Sequence, residues 1–438
     1  MSVPLARRPE LLAPAGTLKS LHYALAYGAD AVYAGMPRYS LRVRNNDFDL
    51  DHLASGIAMV RAQGRRFYLA ANVLPHAAKL RTFVDDLTPT VELGPDALIM
   101  ADPGLILLVR ERWPELPIHL SVQANTTNAA AVRFWQRQGI SRVILSRELS
   151  LEEIAEIREA CPNVELEVFV HGALCIAYSG RCLLSGYFNH RDANQGSCTN
   201  ACRWQYRVGG AAGPVEPDAG AAGDAPQRHP DADAVWLLEE AERPGEYMPV
   251  FEDEHGTYIM NARDLRAVQH VARLAAMGID CLKIEGRTKS HYYTARTTRV
   301  YRQAIEDALA GRPFQAGLLA DLEGLANRGY TEGFYRRHTP SALQNYDDGS
   351  SRNQRRLFVG DVVDIDPASG LAEIEVKNRF AVGDELELMT PQGNARFRLQ
   401  RMLSMDGVPI DTAPGSGWRV RLSLPTANAE LGLVARVL

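Results

Sequence analysis

Tyr27-Gly-Ala-Asp-Ala-Val-Tyr-Ala34 is the stretch on which the fold turns: a glycine turn releases the chain into a short apolar run. A run this short, with no polar alternation, suits a strand covered on both faces, as in a parallel sheet. The same unit recurs outward in both directions. Upstream lies Glu10-Leu-Leu-Ala-Pro14, and downstream come Arg66-Phe-Tyr-Leu-Ala-Ala71, Asp96-Ala-Leu-Ile-Met-Ala101, Ile118-His-Leu-Ser-Val122, Arg142-Val-Ile-Leu-Ser146, Glu165-Leu-Glu-Val-Phe-Val170 and Cys281-Leu-Lys-Ile-Glu285. Helical stretches separate them, such as Leu151-Glu-Glu-Ile-Ala-Glu-Ile-Arg-Glu-Ala160, where Ser150 and Glu153 form a capping box. Eight strands joined by helices predict an α/β fold of TIM type, a closed (β/α)8 barrel. An open doubly wound sheet is the competing architecture, and the lack of G-x-G-x-x-G after the first strand counts against a dinucleotide-binding form of it.

The barrel is expected to occupy residues 1–340, with a helix from Asp264 to Met277 leading into strand eight and another from His291 to about Gly311. Within it, Gly209 to Ala234 is built of Ala, Gly, Pro and Asp with almost no large apolar side chains, so it is expected to be a mobile insertion. From Phe358 the pattern changes to period two, and residues 355–438 are predicted to form a small antiparallel β-barrel.

Four of the six cysteines, Cys175, Cys182, Cys198 and Cys202, fall in the connection after the seventh strand with spacing C-x6-C-x15-C-x3-C. Met1-Ser-Val-Pro-Leu-Ala-Arg-Arg has no apolar core of a signal peptide, which argues against stable disulfides. Thiolates gathered in this way suit a metal ion or an iron–sulfur cluster, and the long first spacing leans away from the short pairs usual for zinc. A redox pair or four packed thiols are the competing readings. The formal net charge is −5, so any anionic partner must meet a local basic patch. No run approaches the roughly 18–20 apolar residues needed to span a bilayer, and a soluble, cytoplasmic protein is expected.

A closed parallel barrel carries its chemistry at the C-terminal ends of its strands. The polar residues there are Asn72, Asp102, Gln123, Asn125, Arg147, Glu148, His171, Glu285 and Arg287. The loop after the second strand adds Arg38, Arg42 and Arg44 around Tyr39, guanidinium forks for phosphate or carboxylate beside a ring on which a base could stack. Surface arginines held in salt bridges are the bland alternative.

Glu167-Val-Phe-Val-His-Gly-Ala-Leu-Cys175, Gly180-Arg-Cys182 and Leu184-Ser185 resemble the signature of the collagenase-like "unassigned" peptidase family. The resemblance runs from Pro9-Glu-Leu-Leu-Ala-Pro-Ala-Gly16 into the C-terminal region. Tyr39-Ser-Leu-Arg-Val-Arg-Asn-Asn46, Val122-Gln-Ala-Asn125, Phe251-Glu-Asp-Glu-His-Gly-Thr-Tyr-Ile-Met-Asn261 and Lys283-Ile-Glu-Gly-Arg-Thr-Lys289 are similar to its bacterial prephenate-dependent tRNA uridine hydroxylase branch. That resemblance implies hydroxylation of carbon five of the wobble uridine of tRNA, with prephenate as co-substrate. It also implies an iron–sulfur cluster, a four-iron core being expected, on Cys175, Cys182, Cys198 and Cys202. His171 and Glu285 are then the proton-transfer candidates. Arg38, Arg42, Arg44 and Arg287 are expected to hold anionic groups of prephenate or RNA, with Asn72, Gln123, Asn125 and Arg147 also facing the substrate. A peptidase and a non-catalytic RNA-binding protein with a structural metal are the alternatives, although neither H-E-x-x-H nor G-x-S-x-G occurs.

Overall fold

The computed structural model describes residues 8–40, 47–174, 263–327, 329–336 and 356–438, together with the strand backbones 236–239, 247–253 and 256–258. Each apolar run is a strand. β1 (Glu10–Pro14), β2 (Ala31–Gly35), β3 (Arg66–Ala70), β4 (Ala97–Met100), β5 (Ile118–Leu120), β6 (Arg142–Ile144) and β7 (Glu165–Ala173) each pair in parallel with the next. Three strands, β8 (Trp236–Glu239), β9 (Tyr247–Asp253) and β10 (Gly256–Tyr258), then form an antiparallel sheet of their own. After β11 (Asp264–Arg266) comes β12 (Cys281–Ile284), parallel to β7 on one side and to β1 on the other. That double pairing closes the ring, so the barrel, not the open sheet, is the architecture.

The connecting helices begin where their capping residues are. Thr17, Asp49, Asn128, Ser150 and Ser290 each accept a backbone N–H of the first turn, and Ser150 and Glu153 form the reciprocal box read from the sequence. One expectation fails. Asp264 to Met277 is not a single helix: Asp264–Arg266 is a strand, and only Val271–Ala276 is α-helical. The cause is tertiary, because β7 extends past the barrel and Asp264, Leu265 and Arg266 pair antiparallel with Ala173, Gly172 and His171. β13 (Tyr330–Thr331) then adds to the other edge of β11.

Residues 356–438 supply β14 (Arg356–Ile365), β15 (Leu371–Val376), β16 (Phe380–Ala381), β17 (Glu385–Met389), β18 (Asn394–Arg398), β19 (Met402–Ser404), β20 (Thr412–Ala413), β21 (Arg419–Ser423) and β22 (Leu433–Val437). Seven of these form one antiparallel sheet in the order β18-β17-β22-β14-β15-β21-β19, a half-barrel around Val359, Ile374, Phe380, Leu388, Val420 and Val434.

The long helix His291–Leu309 lies between the two parts. Asp361, almost wholly buried, meets Lys19 Nζ and His291 Nε2, each at 2.6 Å. Tyr27 donates its hydroxyl to the carbonyls of Met389 and Leu431, and Arg296 pairs with Glu387. Among the described residues no helix is long and apolar enough to cross a membrane.

Candidate active site

The barrel floor is charged. Arg142 Nη1 lies 2.7 Å from Glu10 and 3.3 Å from Glu167, its Nη2 lies 2.7 Å from Glu165, and Lys283 Nζ lies 2.8 Å from Glu167. Tyr68 donates to Glu10 at 3.0 Å. Buried cations and carboxylates on this scale persist only when mutually paired. Burial pushes the Glu167 carboxyl up, but Lys283 and Arg142 outweigh it and hold its pKa below the ordinary range. Sequence reading passes over this network, although a charge inside an otherwise apolar barrel strand is its signal.

Above the floor is the mouth. Arg147, in the loop after β6, lays its guanidinium 3.8 Å from the centre of the Phe169 ring. It donates from Nη1 to the Ala173 carbonyl at 2.5 Å and from Nη2 to Glu285 Oε2 at 2.8 Å. Glu285 is fixed in turn, since its carbonyl accepts from Tyr293 while Tyr33 donates to the Ile284 carbonyl. Gly172, at φ +111°, makes this closeness feasible, because a Cβ there would lie 2.6 Å from the Glu285 carbonyl oxygen.

Arg287 is buried beside Tyr33 and donates to Ser40 Oγ at 2.6 Å. Gly35 leaves room for it, as a Cβ on Gly35 would stand 2.4 Å from Arg287 Nη1. After β5, a short 3-10 turn carries Gln123 and ends on Asn125 in the left-handed conformation, φ 50°. Asn125 Nδ2 donates to the Gln123 carbonyl, while Gln123 Nε2 and Asn125 Oδ1 are buried with no hydrogen-bond partner. Buried polar groups are nearly always paired, so these two atoms can take a further partner. Asn72 is buried after β3, Asp102 caps the helix Pro103–Arg112, and Glu148 accepts from Ser146.

Two residues stand elsewhere than the sequence predicts. Alternation along β7 would put His171 on the inward face with Glu167 and Phe169, at the mouth. The β7–β12 register slips between Lys283 and Ile284, so Lys283 opposes Phe169 while Ile284 opposes His171. This bulge re-aims the side chain outward. The imidazole packs among Tyr293, Tyr301 and Tyr330 with ring centres 5.5 to 5.8 Å away. Burial lowers its pKa to about 3, so the ring is neutral. Tyr39 offers no stacking face: it is fully buried against Phe83, and its hydroxyl donates to Asp86 at 2.6 Å. Arg38 joins the same carboxylate at 2.7 Å as an exposed ion pair.

Arg42, Arg44, Cys175, Cys182, Cys198, Cys202 and the insertion at 209–234 lie outside the described residues. β7 delivers the chain to the mouth as far as Leu174, the residue before Cys175. Cys161 and Cys281 are buried in the protein, Cys281 at the first residue of β12, the end of that strand opposite the mouth.

Residues 16–345 match the model of peptidase family U32, and residues 354–436 match that of the peptidase family U32 C-terminal domain. The chain is 59% identical over 434 residues to tRNA hydroxylation protein P of Escherichia coli (strain K12), covering 95% of this chain and 94% of that protein. It is 55% identical over 442 residues to tRNA hydroxylation protein P of Haemophilus influenzae (strain ATCC 51907 / DSM 11121 / KW20 / Rd), covering 98% and 96%. A collagenase of Porphyromonas gingivalis (strain ATCC BAA-308 / W83) is 28% identical over 398 residues, covering 87% of this chain and 86% of that protein. With the barrel from its first helix onward inside the first match and all but the last two residues of the half-barrel inside the second, the chain belongs to peptidase family U32.

Proposed function

We propose that the protein hydroxylates tRNA, adding the hydroxyl at carbon five of the wobble uridine with prephenate as co-substrate. The observation that supports tRNA hydroxylation is the 59% identity to a protein named for it over nearly the whole of both chains; carbon five, the wobble uridine and prephenate rest on the sequence resemblance. The geometry of the mouth is compatible with it.

The donor set suits an iron–sulfur cluster. Cys175, Cys182, Cys198 and Cys202 are four soft thiols in one connection, and that connection leaves β7 at the mouth. When bound, the cluster would supply electron transfer or Lewis acidity. The chain's own residues do the rest. A base inside a folded tRNA must be extruded to reach a barrel mouth. Gln123 Nε2 and Asn125 Oδ1, a donor and an acceptor without partners, are suited to the polar edge of that base. Arg147 and Arg287 carry guanidinium groups suited to orienting the carboxylates of prephenate. Glu285, held by Arg147, is a carboxylate at the mouth suited to holding a proton exchanged with the substrate.

The test is mass analysis of tRNA nucleosides from a strain lacking the gene, with anaerobic purification and iron and sulfide analysis of the protein. Loss of the hydroxylated uridine on deletion supports the reading. Unchanged nucleosides, together with cleavage of a denatured collagen by the purified protein, would support the peptidase reading that the collagenase relative favours.

A further inference from the structure

The seam between barrel and half-barrel holds a cavity of about 290 Å³ that the mouth does not use. Arg296, Arg299 and Gln303 of the long helix, Gln315, Asp321 and Asn394 of β18 wall it. Arg296 is 1% exposed and pairs through Nη2 with Glu387, yet its Nε and Nη1 make no hydrogen bond. Its Nη1 stands 3.9 Å from Asp321, a carboxylate that Arg356 already engages at 3.2 Å.

Arg299 is the more telling neighbour. It donates to Asn394 Oδ1 and forms no ion pair among the described residues. Burial lowers its pKa and outweighs the attraction of Tyr27, Asp321 and Glu387. The nearby carboxylates are occupied. Asp307 accepts from Gln303 at 2.8 Å, Gln315 at 3.0 Å and Arg312 at 2.7 Å, and Glu387 serves both Arg296 and Arg356. Of the charged side chains that line the cavity, two are guanidinium groups, Arg296 and Arg299, and one is a carboxylate, Asp321. Unpaired guanidinium N–H groups lining a polar cavity match an oxyanion.

We propose that this cavity is an oxyanion site that receives a phosphate group of the RNA backbone, so that the half-barrel helps to hold the nucleic acid whose base enters the mouth. The long helix starts just past the end of β12, and Arg299 lies about 12 Å along its axis from His291. The RNA assignment rests on the tRNA reading above; the oxyanion site does not.

Two full-length variants test it. Arg299→Gln removes the unpaired guanidinium, and Asn394→Asp keeps the arginine but supplies it with a carboxylate. Arg419→Gln, which removes an exposed half-barrel partner of Glu373, is the control. Thermal unfolding with inorganic phosphate and fluorescence anisotropy with tRNA across a salt series are the readouts. Phosphate is expected to raise the Tm of the wild type and of the control but of neither cavity variant. tRNA binding is expected to weaken roughly 3- to 10-fold in both, with the slope of log affinity against log salt shallower by about 1. Phosphate stabilisation that survives in both variants overturns the site. Loss of the phosphate response with unchanged tRNA affinity and salt slope overturns the RNA assignment and leaves free phosphate as the ligand. A wild type that binds no tRNA overturns the tRNA reading and this assignment with it, while the phosphate readout still decides the oxyanion site.

Discussion

Arg147 Nη2 donates to Glu285 Oε2 at 2.8 Å, tying the loop after β6 to the loop after β12 across the end of β7. The pair is largely shielded, with side chains 9% and 22% exposed. Glu285→Gln leaves the Arg147 charge without this carboxylate, and Arg147→Gln removes the guanidinium that holds Glu285 Oε2. Urea unfolding of both single variants and the double variant is expected to give a coupling of about 1–3 kcal/mol, and both single variants are expected to lose at least roughly tenfold in hydroxylation. Additive stabilities would show that the pair is not a unit.

Glu167 anchors the barrel floor between Lys283 and Arg142. Removing one member of such a buried set strands the others, so Glu167→Gln is expected to cost about 3–5 kcal/mol. The sign of its pH dependence follows from a folded pKa below the unfolded one. The stabilisation is fully present above an unfolded pKa of about 4.3 and is lost as pH falls through the lower folded value. Chemical denaturation across acidic pH is expected to show that loss in the wild type and not in Glu167→Gln.

The barrel is legible in the sequence because a strand buried on both faces leaves a short apolar run, and a glycine turn precedes several of them. Glu10, Arg142 and Lys283 fall inside those runs without disguising them. What stays hidden comes from contacts distant in sequence. Asp264-Leu-Arg266 reads locally as the start of a helix and becomes a strand only because the end of β7 is there to pair with it. Tyr39 reads as a free ring in a polar loop until Asp86, 47 residues away, takes its hydroxyl. A bulge that reverses His171 leaves no mark in its own sequence, whereas Arg147, Glu285, Gln123 and Asn125 lie just past their strand ends, where the barrel rule puts them.

His171 is neutral in the fold, with a pKa of about 3 caused by burial. Its folded pKa lies below the unfolded value of about 6.5, so the neutral ring costs nothing above that pH and stability falls as pH drops below it. Between pH 7 and 5 the wild type is expected to lose about 2 kcal/mol that His171→Leu does not lose. Hydroxylation by His171→Leu, measured at a temperature where it is folded, is expected to remain within a few-fold of wild type. A loss of several hundred-fold with stability intact would return the residue to the reaction.

The most direct measurement of the central claim is nucleoside mass analysis of total tRNA from a deletion strain carrying either the wild-type gene or Cys182→Ala, paired with iron and sulfide analysis of both proteins after anaerobic purification. The expected result is restoration of the hydroxylated wobble uridine by the wild type alone, with iron and sulfide present in the wild type and lost from the variant. Full modification by a Cys182→Ala protein devoid of iron and sulfide would contradict it.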